Sequence, residues 1–160
     1  MTKEDLEQEL RAANANRAIL YYLIFDELRK AHGEAEASKV MRAAIYRRGK
    51  EMAADIKQFA PNRMKALGDY HVAHSAGGGK LFNPEVKRLD DGGFEVLNAT
   101  CPLKDAWQAR GLSDAEVAKM CEIGSAIDYG QFESAGFRFD CETWKPGKRG
   151  CCTLKVYPGN

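Results

Sequence analysis

The sequence predicts an α+β fold, with helices packed on an antiparallel sheet. Three observations lead there. The first third carries apolar residues at helical spacing. The rest holds two hairpin signals, each a pair of short strand-like runs around a Gly-containing turn. Short helical segments separate the two hairpins. The predicted order is α-α-β-β-α-α-β-β, with the helices segregated from an antiparallel sheet.

Thr2 is placed to cap the first helix, with acids in its opening turn, where the macrodipole favours negative charge. Leu6, Leu10, Ala13, Arg17, Leu20, Leu23, Ile24 and Leu28 keep helical spacing. Tyr21, Tyr22 and Phe25 widen that stripe, which predicts burial on more than one side. Lys30 and Gly33 close the helix. A second helix is predicted over Glu34–Phe59 and ends before Pro61. Gly49 inside it costs ~1 kcal/mol relative to Ala, so either close packing or a ligand is expected there. Met64–Lys80 shows no clean period and contains Gly77-Gly78-Gly79, so it reads as a long connection of the kind that forms lids or binding loops.

The first hairpin pairs Val86–Leu89 with Phe94–Ala99 across Asp90-Asp91-Gly92-Gly93. Pro102 suits the first turn of a short helix, Leu103–Ala109, that Gly111 closes. Ser113 and Glu116 make a capping box for the next helix. Ser125–Ala135 reads as a helical or loop piece. The second hairpin pairs Phe137–Cys141 with Cys151–Tyr157 around Pro146–Gly150.

With 160 residues the chain fits one domain, residues 1–160, able to bury ~70% of the unfolded surface without disulfides or a structural metal. Net charge is +1 with acids and bases interspersed, which gives no nucleic-acid footprint. The longest apolar run, Ala18–Phe25, is too short for a bilayer, and the acidic N-terminus lacks a signal-peptide core. These features predict a cytoplasmic protein without membrane partners. The same run suits a homodimer.

Five cysteines stand in the last 60 residues, an odd count without an export signal, so thiols rather than disulfides are expected. Their spacings contain no C-x₂₋₄-C pair of the structural-zinc kind, and no cofactor motif is present. Cys101 ends a strand and precedes a predicted helix N-terminus, whose free N–H groups favour a thiolate. It is either a nucleophile or a small buried hydrophobe. Cys121 shares an apolar helical face with Val117 and Met120. Cys141 shares a strand face with Phe139. Cys151 and Cys152 are strand neighbours, so only one is expected to face a given pocket.

Three other groups are candidates. His71 and His74 are either exposed loop histidines or a base and ligand carried by a mobile loop. Arg48, beside Arg47 and Lys50, is either part of a solvated face or a clamp for a substrate carboxylate. Asp128 is either a surface or capping acid or a group that orients a base.

The segments "AILYYLIFDELRKAHGEAEA", "AIYRRGKEM", "CPLKDAWQARGLSDAEVAKMCEI" and "GCCTLKV" together resemble the L-2-amino-thiazoline-4-carboxylic acid hydrolase family. The resemblance runs from about Ala18 to Val156. It is most specific at Cys101-Pro102-Leu103, Trp107, Gly111-Leu112, Cys121 and Gly150-Cys151-Cys152. It implies a hydrolase that opens a five-membered cyclic amidine-like ring, in the namesake's case to N-carbamoyl-cysteine. The implied substrate is a small molecule bearing a carboxylate. The implied catalytic set is Cys101, Cys121, Cys152, Asp128 and His71, with Arg48, His74 and Trp107 toward the substrate. The element order is also similar to the vinyl-reductase-like ligand-binding fold, which keeps open a non-enzymatic small-molecule or metal-binding module.

Overall fold

The computed structural model describes residues 1–160 and carries the predicted α+β architecture. Helix α1 spans Lys3–His32 and α2 spans Glu34–Met52. Helix α3 covers Met64–Ala73. Strands β1 (Pro84–Asp90) and β2 (Gly93–Asn98) form the first hairpin. Helices α4 (Pro102–Ala109), α5 (Asp114–Gly124) and α6 (Ala126–Ala135) follow. Strands β3 (Arg138–Glu142) and β4 (Thr153–Tyr157) complete the chain. One four-stranded antiparallel sheet results, in the order β1-β2-β4-β3. No helix is long and apolar enough to cross a membrane.

Local signals behave as their chemistry dictates. Thr2 with Asp5, and Ser113 with Glu116, close reciprocal capping boxes on α1 and α5. On the sheet, Phe94 pairs with Val156 and Val96 with Leu154, while Phe139 pairs with Val156 from the other side. These residues are buried and form one face of a core cluster completed by Phe59, Leu67 and Phe132. A second cluster gathers α1, α2, α4 and α5 around Ala18, Met41, Trp107, Met120 and Cys121.

Three expectations need correction. The second helix stops at Met52 and continues as two 3₁₀ turns, Ala53–Asp55 and Lys57–Phe59. The tighter winding repeats every three residues, which brings Ala53, Ile56 and Phe59 onto one buried face before Pro61. The Met64–Lys80 stretch is not all connection, because α3 fills most of it. Its inward positions are Met64, Leu67, Gly68 and His71, a helical spacing in which Gly and His stand where apolar residues would betray the period. Helix α1 is buried on one side only: Ala18 and Phe25 are covered, while Leu20, Leu23 and Ile24 stay exposed.

The tightest helix crossing is between α2 and α6. A Cβ on Gly49 would run into the carbonyl of Ile127, and one on Gly130 would run into the carbonyl of Tyr46. Gly49 therefore serves close packing, and the two backbones touch through paired glycines.

Gly130→Ala should cost about 3 kcal/mol, because backbone rather than a flexible side chain would have to move. Gly124→Ala is the contrast: its Cβ would meet only Trp107 at 3.9 Å. That helical substitution should be neutral or stabilising, by up to about 1 kcal/mol. Urea unfolding of the two variants checks the difference, and equal costs would contradict the crossing.

Candidate active site

A cavity of ≈ 420 Å³ lies between the helices and the sheet. Its walls come from nearly every element, and its most reactive side chains are thiols. Cys101 stands at the N-terminus of α4, Cys121 on α5, and Cys151 and Cys152 just before β4; all four line the cavity.

The Cys151-Cys152 pair departs from strand alternation. β4 begins only at Thr153, and Gly150 takes φ 70°, a conformation that suits glycine. The backbone is pinned to the end of β2 by Cys151 N–H donating to Asn98 O (2.8 Å) and Asn98 N–H donating to Cys152 O (2.9 Å). The ammonium of Lys148 donates to Cys151 O at 2.6 Å and to Thr153 Oγ1 at 3.1 Å. As a result both sulfurs reach the cavity, 3.6 Å apart, where one was expected.

The sulfurs divide into two kinds. The thiol of Cys151 lies against Cys101, Cys121 and Cys152, and these contacts push its pKa up. Cys141 is pushed up in the same way by donating to Cys152. Cys101 is pushed down: it receives the hydrogen bond of Cys151, and the amides of Lys104 and Leu103 at the start of α4 add to this against the cost of burial. Cys152 is pushed down by Cys141 and Cys151, then by the amide of Trp144 and the charge of Lys148. Cys101 and Cys152 are the two sulfurs that amides steady, and both thiols are pushed down.

Asp128, on α6, faces the same cavity. Burial is the main cause that raises its carboxyl to about 7; the nearby Cys152 adds to the rise and Arg17 opposes it. Arg17 lines the cavity from α1 and donates to Asn14 Oδ1 at 2.8 Å. It stood in the apolar spacing of α1 and was not among the expected site residues. A lone cation inside such a stripe was the available signal.

His71 lines the cavity from α3 between the rings of Phe94 and Phe132. Burial alone lowers its pKa to about 4, so it is neutral at pH 7. His74 sits at the rim, stacked on Tyr70, with its Nδ1 2.9 Å from Tyr70 O. Both belong to a helix and its cap, not to a mobile loop. Trp107 is a fixed wall: it is buried, and its Nε1–H donates to Ala18 O at 2.7 Å. Arg48 is outside the site. It is exposed, pairs with Glu51 at 3.1 Å, and projects from the outer side of α2 because Gly49 occupies the inner side. No three His, Cys, Asp or Glu side chains come together in a way that could hold a metal ion.

The fold and cavity define a class: an α+β protein with thiols and a carboxyl lining one cavity between helices and an antiparallel sheet. Residues 12–156 match the family model of L-2-amino-thiazoline-4-carboxylic acid hydrolase. The chain therefore belongs to that family, whose name describes a hydrolase. No curated protein matches the chain.

The two displaced titrations make opposite contributions to stability. The unfolded chain releases the Asp128 proton near 3.8, whereas the folded protein keeps it to about 7, so this group costs stability as pH rises from 4 to 7. The unfolded chain protonates His71 below 6.5, whereas the folded protein does so only near 4, so this group adds stability as pH rises from 4 to 6.5. Relative to wild type, Asp128→Asn should make stability climb more steeply over pH 4–6.5, and His71→Gln should make it climb less. Urea unfolding at three pH values reads the slopes; unchanged slopes would place both groups in water.

Proposed function

We propose that the protein opens a five-membered cyclic amidine or amide that carries a carboxylate, using Cys101 as nucleophile. The observation that carries this reading is Cys101 itself. It faces the cavity with its sulfur steadied by Cys151 and the first amides of α4. A thiolate held there adds to the electron-poor ring carbon of a C=N or C=O bond. Asp128, protonated up to about 7, is the acid that supplies a proton as the ring opens.

The steps balance as follows. The Cys101 sulfur bonds to the ring carbon, and the C=N electron pair takes a proton at nitrogen. The ring bond from that carbon to its leaving atom then breaks. In a cyclic amide this is a non-peptide C–N bond; in a 2-amino-thiazoline it is the C–S bond, and the departing sulfur takes the proton of Asp128. Water adds to the carbon held by Cys101 and the Cys101 sulfur leaves as thiolate. Of the two protons that water releases, one restores Asp128 and the other replaces the proton that solvent lent to the ring nitrogen, and an open carbamoyl compound remains. Cys152 and Cys121 shape the pocket around the reacting carbon, and Trp107 fixes one wall. Arg17, with Asn14, meets the substrate carboxylate at the cavity, the task first assigned to Arg48.

Turnover of 2-amino-thiazoline-4-carboxylate, of related cyclic amidines and of hydantoins tests this reading. Cys101→Ser should lower kcat by more than about a thousandfold, since no other group replaces the nucleophile. Retained activity would remove Cys101 from that role. Arg17→Gln should raise KM about tenfold through loss of a charge-assisted contact, while Arg48→Gln leaves KM unchanged. With Asp128 as the acid, kcat/KM should fall as pH rises through about 7. Asp128→Asn should lower the rate and remove that limb.

A further inference from the structure

The cavity is larger than a small ring acid needs. Its ≈ 420 Å³ lies within the ~300–1,000 Å³ range of pockets that enclose drug-sized ligands. The reacting groups occupy one part of it. Cys101, Cys121, Cys151 and Trp107 belong to the helical core cluster or pack on it. The rest of the lining has a different character. Met52, Ile56, Tyr70, Phe132 and Leu154 present apolar and aromatic surface. Ile56, Phe132 and Leu154 are members of the other core cluster, the one on the sheet. Cys152 packs against both clusters, so the cavity passes from one to the other with this sulfur at the junction.

We propose that this second lobe is a subsite for a side chain, and that the substrate is a ring acid bearing an apolar group of aromatic size. The inference rests on the ring-opening reading and adds the substituent to it. Arg17 holds the carboxylate, Cys101 meets the ring, and the substituent lies against Ile56, Phe132 and Leu154. His71 extends that surface: its ring lies against Phe94 and Phe132, with centroids 5.7 and 5.8 Å away, so an aromatic substituent would meet further rings there. Without a substituent the lobe would have to be filled by water on largely apolar walls, which weakens binding of the bare ring.

Steady-state kinetics with 2-amino-thiazoline-4-carboxylate and with its 5-phenyl and 5-benzyl derivatives tests the proposal on the full chain. At least one derivative should exceed the unsubstituted ring in kcat/KM by about thirtyfold or more, as filling an apolar pocket demands. Equal or lower values for both would overturn the subsite while leaving ring opening intact. Met52→Trp, at a half-buried wall of the lobe, should cut that preference at least tenfold. A folded variant that keeps the preference would overturn the assignment of the lobe. If none of the rings is turned over, the ring-opening reading fails instead. The lobe is then judged by calorimetry with N-carbamoyl-phenylalanine and N-carbamoyl-alanine. Tighter binding of the phenylalanine compound by about thirtyfold would sustain it, and equal binding would overturn it.

Discussion

The site depends on one close approach, the crossing of α2 and α6 through Gly49 and Gly130. Because each glycine meets a backbone carbonyl of the other helix, α6 has little freedom to slide or roll. Ile127, Asp128 and Gln131 all sit at this crossing and line the cavity. The crossing thus fixes the stretch of α6 that carries Asp128, whose carboxyl has no ion pair. The raised pKa of that carboxyl follows from its burial. A looser crossing would admit water, and the carboxyl would ionise as an ordinary surface acid.

A second constraint acts on the sulfurs. Four cysteines reach one cavity from three parts of the chain, and hydrogen bonding among them separates donors from acceptors. Neighbouring like charges oppose each other in a confined space, so a second thiolate beside the first is costly. Backbone amides decide where the charge settles. Cys101 has the opening turn of α4, and Cys152 has the amide of Trp144 and the ammonium of Lys148. Cys151 lies against the other thiols without an amide of its own, and its pKa is pushed up. In this account the network matters more than any one cysteine, because the nucleophile's readiness depends on its neighbour's proton.

The element order was legible in the sequence because capping boxes, the Asp-Asp-Gly-Gly turn and strand alternation are local signals. The thiol set and Asp128 were also legible as candidates. What the sequence hid were relations set by tertiary packing. Helix α3 escaped notice because Gly68 and His71 occupy its inner face, where Gly68 lets the helix lie close to Leu89 and Phe94. Arg48 is open to either a solvated or a clamping role in the sequence, but its neighbour Gly49 faces α6 and so turns the arginine outward. Arg17 carried no motif at all. Cys151 and Cys152 were expected on opposite faces, and only the bend at Gly150 brings both to one cavity. In each case the missing knowledge was which face of an element meets its neighbour.

The central claim is that the Cys101 sulfur bonds to the ring carbon of the substrate. Acid quenching during turnover of a cyclic amidine, followed by peptide mass spectrometry, observes that bond directly. A substrate-mass adduct should appear on the Cys101 peptide during turnover, and form more slowly in Asp128→Asn, whose ring opening lacks its acid. Turnover with an adduct on Cys152 alone, or with unmodified thiols at every quench time, would contradict it.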